Sequence, residues 1–234
     1  QQYEEWKSSW IRQRTIFLKD IELRLGEGFI EFIHKKSMKP ITHAVHFHAQ
    51  FRLQGMWFLS QTFLWQAPYR QDNKWILEGE SQRFPISLKW EFLPDTENNI
   101  LHTKVWLITN EDLVLEEYNL SIGLIYGYQN WETPLESGFF PEIPTEQVEY
   151  RHLNNDYHPS DYIIATGKNL PGVQLFSNQK NMFRMTAINP EYSLSARIIQ
   201  AIATPEQKTV FHLSKGTHLL FDGGVRFQTT DEQN

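Results

Sequence analysis

From about residue 15 onward, apolar residues recur at every second position, and that period dictates strands with one face turned inward. In Ile41 to Leu53 the odd positions Val45, Phe47, Ala49, Phe51 and Leu53 are apolar, while Thr42, His46, His48, Gln50 and Arg52 alternate with them. In Phe84 to Phe92 the apolar set is Phe84, Ile86, Leu88, Trp90 and Phe92, and in Leu101 to Thr109 it is Leu101, Val105 and Leu107. Pro94 to Asn99 separates the last two as a hairpin loop, and Asn110-Glu111-Asp112 marks the next reversal, before a long strand predicted over Val114 to Tyr128. Further strands are expected over Tyr162–Thr166, Val173–Ser177, Phe183–Ile188, Ala196–Ala203, Val210–Leu213 and His218–Gln228, the last with a turn at Gly223-Gly224. Parallel pairing needs crossover helices, and almost none can be read, so the sheets should be mostly antiparallel. The expected fold is all-β: a large two-sheet β-sandwich spanning residues 15–230, with a short N-terminal helix or connector over 1–14 and a tail at 231–234. In that helix Tyr3, Trp6 and Trp10 share one face, which predicts packing against a sheet or a link to a preceding domain.

Composition sets limits on partners. Among 234 residues the net charge is −6 and no basic run stands out, which argues against a nucleic-acid backbone or an anionic membrane surface as ligand. No apolar stretch approaches the roughly 20 residues of a membrane span. Cysteine is absent, which removes disulfides, thiolate zinc sites and a cysteine nucleophile. No phosphate-cradling glycine loop or Ser-His-Asp arrangement is found, and no cofactor is expected. The first residue is Gln1 and no secretory signal precedes it, so the chain is read as processed or cut from a longer protein. The cytoplasm is the favoured compartment, with secretion open through a removed signal peptide.

Several residues stand out chemically. Period two places His46, His48, Gln50 and Arg52 on one strand face, with the two histidines about 7 Å apart. Such a face can grip hydroxyls, or it can be a solvated surface. A metal site is disfavoured, because Arg52 stands where a cupin-like pattern wants a carboxylate. Glu117, Asn119 and Ser121 form the polar side of the following strand. Glu117 could serve as a general base if burial raised its pKa, and is otherwise an ordinary carboxylate. Asn119-Leu120-Ser121 matches a glycosylation sequon by accident of composition. The segment from Glu132 to Pro159 has little periodicity and many Pro, Gly, Glu, Asn and aromatic residues, which suits a functional loop or a cover over a sheet edge. Around it, Trp131, Phe139 and Phe140 flank Glu132 and Glu136; flat rings beside carboxylates suit sugar stacking, or the rings fill the core.

The stretch from Phe84 to Asn110, two long strands around an acidic turn with the second ending in Thr-Asn, resembles the central meander of galactose mutarotase-like supersandwich domains. Lys215 to Phe227 would suit the closing hairpin of such a domain. The resemblance implies the supersandwich fold and a sugar ligand. Epimerases of that family use a His acid and a Glu base on opposite sides of the sugar, and neither signature can be matched here. The expected function is therefore a carbohydrate-binding or accessory domain of a carbohydrate-processing or polysaccharide-assembly protein. Its ligand residues would be drawn from His46, His48, Arg52, Glu117, Trp131, Glu132 and Phe139. The alternatives are an aldose epimerase-like enzyme and an assembly module contacting other domains of a longer chain.

Overall fold

The computed structural model describes residues 2–142, 151–189, 196–204 and 210–229. Two large antiparallel sheets face each other. In the first the strand order is Thr15–Phe17, Ile21–Leu25, Phe29–His34, Thr42–Leu53, Glu117–Leu124, Arg197–Ala203, Phe183–Asn189 and Arg151–His152. In the second it is Ser137–Phe139, Tyr128–Glu132, Tyr162–Gly167, Gly172–Ser177, Gly216–Gln228, Ile100–Thr109, Ile86–Asp95, Lys74–Glu80 and Leu64–Trp65. A ribbon of Leu113–Leu115 with Phe211–Leu213 closes one end. This is the large, mostly antiparallel sandwich that the alternation predicts.

The sheets are joined through aromatic side chains that the alternation sends inward. Phe47 meets Trp90 at 5.7 Å, Phe32 meets Phe227 at 5.0 Å, and Phe183 meets Phe221 at 5.3 Å, each pair edge-on and each spanning the two sheets. Such pairs contribute about 0.5–1.5 kcal/mol beyond the area they bury. The Tyr118 hydroxyl crosses the same core and donates to the Leu220 carbonyl at 2.9 Å. The hairpin at Pro94 to Asn99 forms as expected: Asp95 lies opposite Ile100, and Asn99 takes a positive φ of 53°.

Four expectations are corrected. The stretch Val114 to Tyr128 is not one strand: Glu117–Leu124 belongs to the first sheet, and Tyr128–Glu132 begins anew in the second. Apolar alternation continues across the crossing because both sheets feed one core. Gly223-Gly224 is not a turn, and Lys215 to Phe227 is not a hairpin. Gly216–Gln228 runs unbroken between Ile100–Thr109 and Gly172–Ser177. The glycines are there for close approach: a Cβ on Gly223 would sit 2.0 Å from the Phe176 carbonyl oxygen, and one on Gly224 2.4 Å from that of Leu101. The helix, Gln2–Arg12, buries none of its residues. Instead Trp6 and Trp10 stack at 6.5 Å, and the Arg14 guanidinium covers Trp10 at 4.6 Å. Finally, period two fails inside Thr42–Leu53. Ala44 and His46 have positive φ, and the pairing jumps from Phe47–Ile122 to Thr42–Leu124. This bulge leaves Val45 half-buried, outside the core.

Candidate ligand-binding site

The distinctive feature is the second face of the first sheet. Phe47, Ala49 and Phe51, Leu120 and Ile122, Ile199 and Ala201, and Met185 and Ala187 fill the core. Alternation therefore sends His48, Gln50 and Arg52, Glu117, Asn119 and Ser121, Gln200, and Arg184 and Thr186 to the opposite side. Register aligns His48, Ser121, Gln200 and Thr186 in one row across four adjacent strands. That row is polar and yet buried, as are neighbouring Asn119, Asn154 and Arg184.

Hydrogen bonds hold the row together. Gln200 Nε2 donates to Ser121 Oγ at 2.6 Å, and Ser121 Oγ donates to Asn119 Oδ1 at 3.1 Å. Asn119 is therefore an internal hydrogen-bonding residue, and its sequon is out of reach of glycosylation. His48 Nδ1 lies 3.3 Å from the His46 carbonyl, which only accepts, so Nδ1 carries the proton. His48 Nε2 is then the acceptor for Gln50 Nε2 at 3.0 Å. Burial lowers the His48 pKa from 6.5 to about 4, so its ring is neutral near pH 7. His46 sits on the bulge, stacked on Phe29 at 5.2 Å, with Nδ1 2.8 Å from Thr42 Oγ1.

At the far end, Asn154 is clamped to the Phe183–Asn189 strand. Its Nδ2 donates to the Met185 carbonyl at 2.9 Å, and its Oδ1 accepts from the Thr186 hydroxyl and, at 3.3 Å, from the Ala187 N–H. His152 Nδ1 approaches Thr186 Oγ1 at 3.1 Å, and burial lowers its pKa, with Arg184 adding to the shift. The Asn154 clamp positions Tyr157, whose ring covers the Arg184 guanidinium at 4.1 Å while remaining 71% exposed. Glu136 reaches in from the other sheet's edge hairpin and accepts from Asn155 N at 2.8 Å, Asn155 Nδ2 at 3.1 Å and Asp156 N at 3.0 Å. Asp156 pairs with the His158 ring at 2.8 Å, and the His158 backbone N–H and ring hold its carboxyl below the usual range. Arg184 is only 7% exposed, and its Nε and Nη2 have no hydrogen-bond partner.

The residues singled out in the sequence divide into two groups. His46, His48, Arg52 and Glu117 lie on the first sheet, with Arg52 opposite Glu117 in register. Arg52 is exposed and pairs with Glu116 at 3.1 Å, and burial pushes the Glu117 pKa up against the pull of Arg52. His48 and Glu117 do not form a facing pair: Ser121, opposite His48, is four residues from Glu117, about 13 Å along the strand. Trp131, Glu132 and Phe139 lie in the second sheet. Trp131 is core, packed over Gly138, so it offers no stacking platform. Glu132 points to solvent, and Phe139 is 78% exposed. The aromatic segment still contributes to the polar face, but through Glu136 and Tyr157.

A cleft of about 660 Å³ lies elsewhere, at the closing ribbon, lined by Leu53, Phe84, Leu113, Glu111, Asp112 and His212 among others. Its Asp112 is already engaged by the Lys215 N–H at 2.8 Å. The polar face is the stronger candidate, because it holds buried donors that remain unfilled. Among the described residues no group of three or more His, Cys, Asp or Glu could hold a metal ion.

No protein-family model matches the chain, and no curated protein sequence matches it. Solved structures do. A candidate aldose 1-epimerase from Escherichia coli K12 aligns with a TM-score of 0.51 at 12% identity, covering 92% of this chain and 98% of that one. A galactose mutarotase-like protein from Lactobacillus casei ATCC 334 aligns with a TM-score of 0.56 at 9% identity, covering 92% and 99%. The chain has the galactose mutarotase-like supersandwich fold, and at these identities the likeness is one of fold.

Proposed function

We propose that this chain is a sugar-binding β-sandwich domain, serving as an accessory unit of a carbohydrate-processing or polysaccharide-assembly protein. The ligand sits at the Arg184–Tyr157 end of the first sheet's polar face. The observation that carries this reading is the unfilled Arg184 edge, held at the end of the satisfied row His48–Ser121–Gln200–Thr186, beside the exposed Tyr157 ring. Sugars need many fixed donors and acceptors next to a flat apolar surface, and this face supplies both. Two structures sharing the fold are described as a candidate aldose 1-epimerase and as galactose mutarotase-like, which supports a sugar as ligand.

A glycan array followed by calorimetry on the hits tests the reading. Tyr157→Ala should weaken any confirmed ligand about tenfold without changing the fold, since the ring is exposed. Silence across neutral and acidic glycans sinks the proposal. Epimerase chemistry is the second reading, drawn from the same structural likeness. It requires an acid and a base facing each other across one sugar, and the neutral, buried His48 far from Glu117 does not supply them. Proton NMR of freshly dissolved α-sugars discriminates: anomer exchange faster than buffer moves the assignment to an enzyme.

A further inference from the structure

We propose that the sugar recognised here carries a carboxylate, gripped side-on by Arg184; this rests on the sugar-binding reading above. Arg184 Nε and Nη2 are buried and have no hydrogen-bond partner. These two nitrogens share one edge of the guanidinium, where their N–H bonds run parallel and match the two oxygens of a carboxylate. A single hydroxyl fills one of the donors and leaves the other empty. Among the described residues Arg184 has no ion-pair partner, although a buried guanidinium stays charged. Burying a cation with its donors unfilled is unfavourable, and an incoming carboxylate removes both penalties at once.

Among the described residues nothing fills that edge. Tyr157 occupies the flat face of the guanidinium at 4.1 Å, which does not compete with donors lying in the plane. The nearby carboxylates are committed elsewhere: Glu136 to the Asn155 backbone and side-chain N–H groups and the Asp156 N–H, and Asp156 to His158. Thr186, two residues along the same face from Arg184, is already engaged by Asn154 and His152. The exposed Tyr157 ring offers its outer side to the pyranose.

The test is calorimetry on the full chain with tetrasaccharides of glucuronate and galacturonate, their methyl esters, the neutral hexose tetrasaccharides and a hexose 6-phosphate. The ester keeps the shape of the acid and removes its charge. The acids should bind about tenfold or more tighter than their esters, with the preference shrinking as salt rises. Arg184→Lys, which keeps the charge and loses the fork, should abolish most of that preference. If acid and ester bind equally, the carboxylate inference falls while the sugar-binding reading stands. Tighter binding of the hexose phosphate than of every uronate overturns the inference in favour of a phosphate. If no sugar of any class binds, both readings fall together. Should Arg184→Lys not fold, as judged by its thermal melt, the acid-against-ester comparison on the unmodified chain decides alone.

Discussion

The two sheets use the same alternation and end in opposite situations. In the second sheet, Ile86–Asp95 and Ile100–Thr109 bury every other residue, and the residues between them, such as Lys89, Glu91 and Lys104, stay partly exposed. In the first, Glu117–Leu124 and Arg197–Ala203 are buried almost throughout, and Phe183–Asn189 throughout, although one of their faces is polar. A polar face turned to water costs nothing to maintain. A polar face taken out of water must satisfy its groups internally or hold them for a ligand. The first sheet does both: the row from His48 to Thr186 is satisfied, and the Arg184 edge is left unfilled.

Acid should expose this difference most strongly. His48 is held at about 4 in the folded chain, against an ordinary 6.5. The unfolded chain therefore binds more protons between those values, so stability is highest above pH 6.5 and is lost as pH falls toward 4. The depression corresponds to roughly 3 kcal/mol, to which His46 and His152, also lowered by burial, add in the same direction. Urea unfolding at pH 7 and at pH 4.5 should show this loss, and His48→Gln should remove most of it. A pH-independent midpoint would mean that the first sheet's polar face is as wet as the second's.

The next largest effect separates a satisfied row from a solvated one. Thr186→Val keeps the shape and removes the hydroxyl that joins His152 to Asn154. It should cost about 1–3 kcal/mol by denaturant unfolding, because the buried groups left behind lose a partner. A cost near zero would show that water replaces the hydroxyl and that the row is open to solvent.

Most of the fold was legible, because alternation reports which residues go inward whatever lies on the other side. The Phe84 to Asn110 meander, with its Pro94 to Asn99 loop, could be read directly from the spacing. Where the chain passes between sheets it could not: Val114 to Tyr128 alternates smoothly through the crossing. The bulge at Ala44 and His46 also carries no periodic signature. The site was half legible. His48 stands out by its spacing, but the spacing leaves open whether its outward face grips a ligand or is solvated, and does not show that it is buried. Arg184, Thr186 and Gln200 were missed, though for Gln200 a signal existed. Arg197–Ala203 is nearly continuous in apolar residues, the mark of a strand buried on both faces, so Gln200 within it had to be internal; Phe183–Asn189 alternates like a half-exposed strand and gives no such signal for Arg184 and Thr186. Tyr157 and Glu136 belong to a segment without periodicity, and only the contacts of its backbone place them.

The smallest effect belongs to the second sheet and guards the comparison from the other side. Glu91 is the best-connected charge on its outer face, 3.5 Å from Lys74 and 3.3 Å from Lys89. Both lysines keep much of their contact with water, with side chains 49% and 29% exposed, so little desolvation holds the pairs together. Surface pairs of this kind contribute about 0–1 kcal/mol and weaken in salt. Glu91→Gln should therefore shift the unfolding free energy by less than about 1 kcal/mol, the difference should shrink further in 1 M salt, and affinity for any confirmed sugar should not change. The reason is one of environment rather than of charge: Glu91 can exchange its lysines for water, whereas Thr186 and His48 have no water to turn to. A loss of 2 kcal/mol or more, insensitive to salt, would place Glu91 in a dry layer like that of the first sheet and erase the distinction between the two faces.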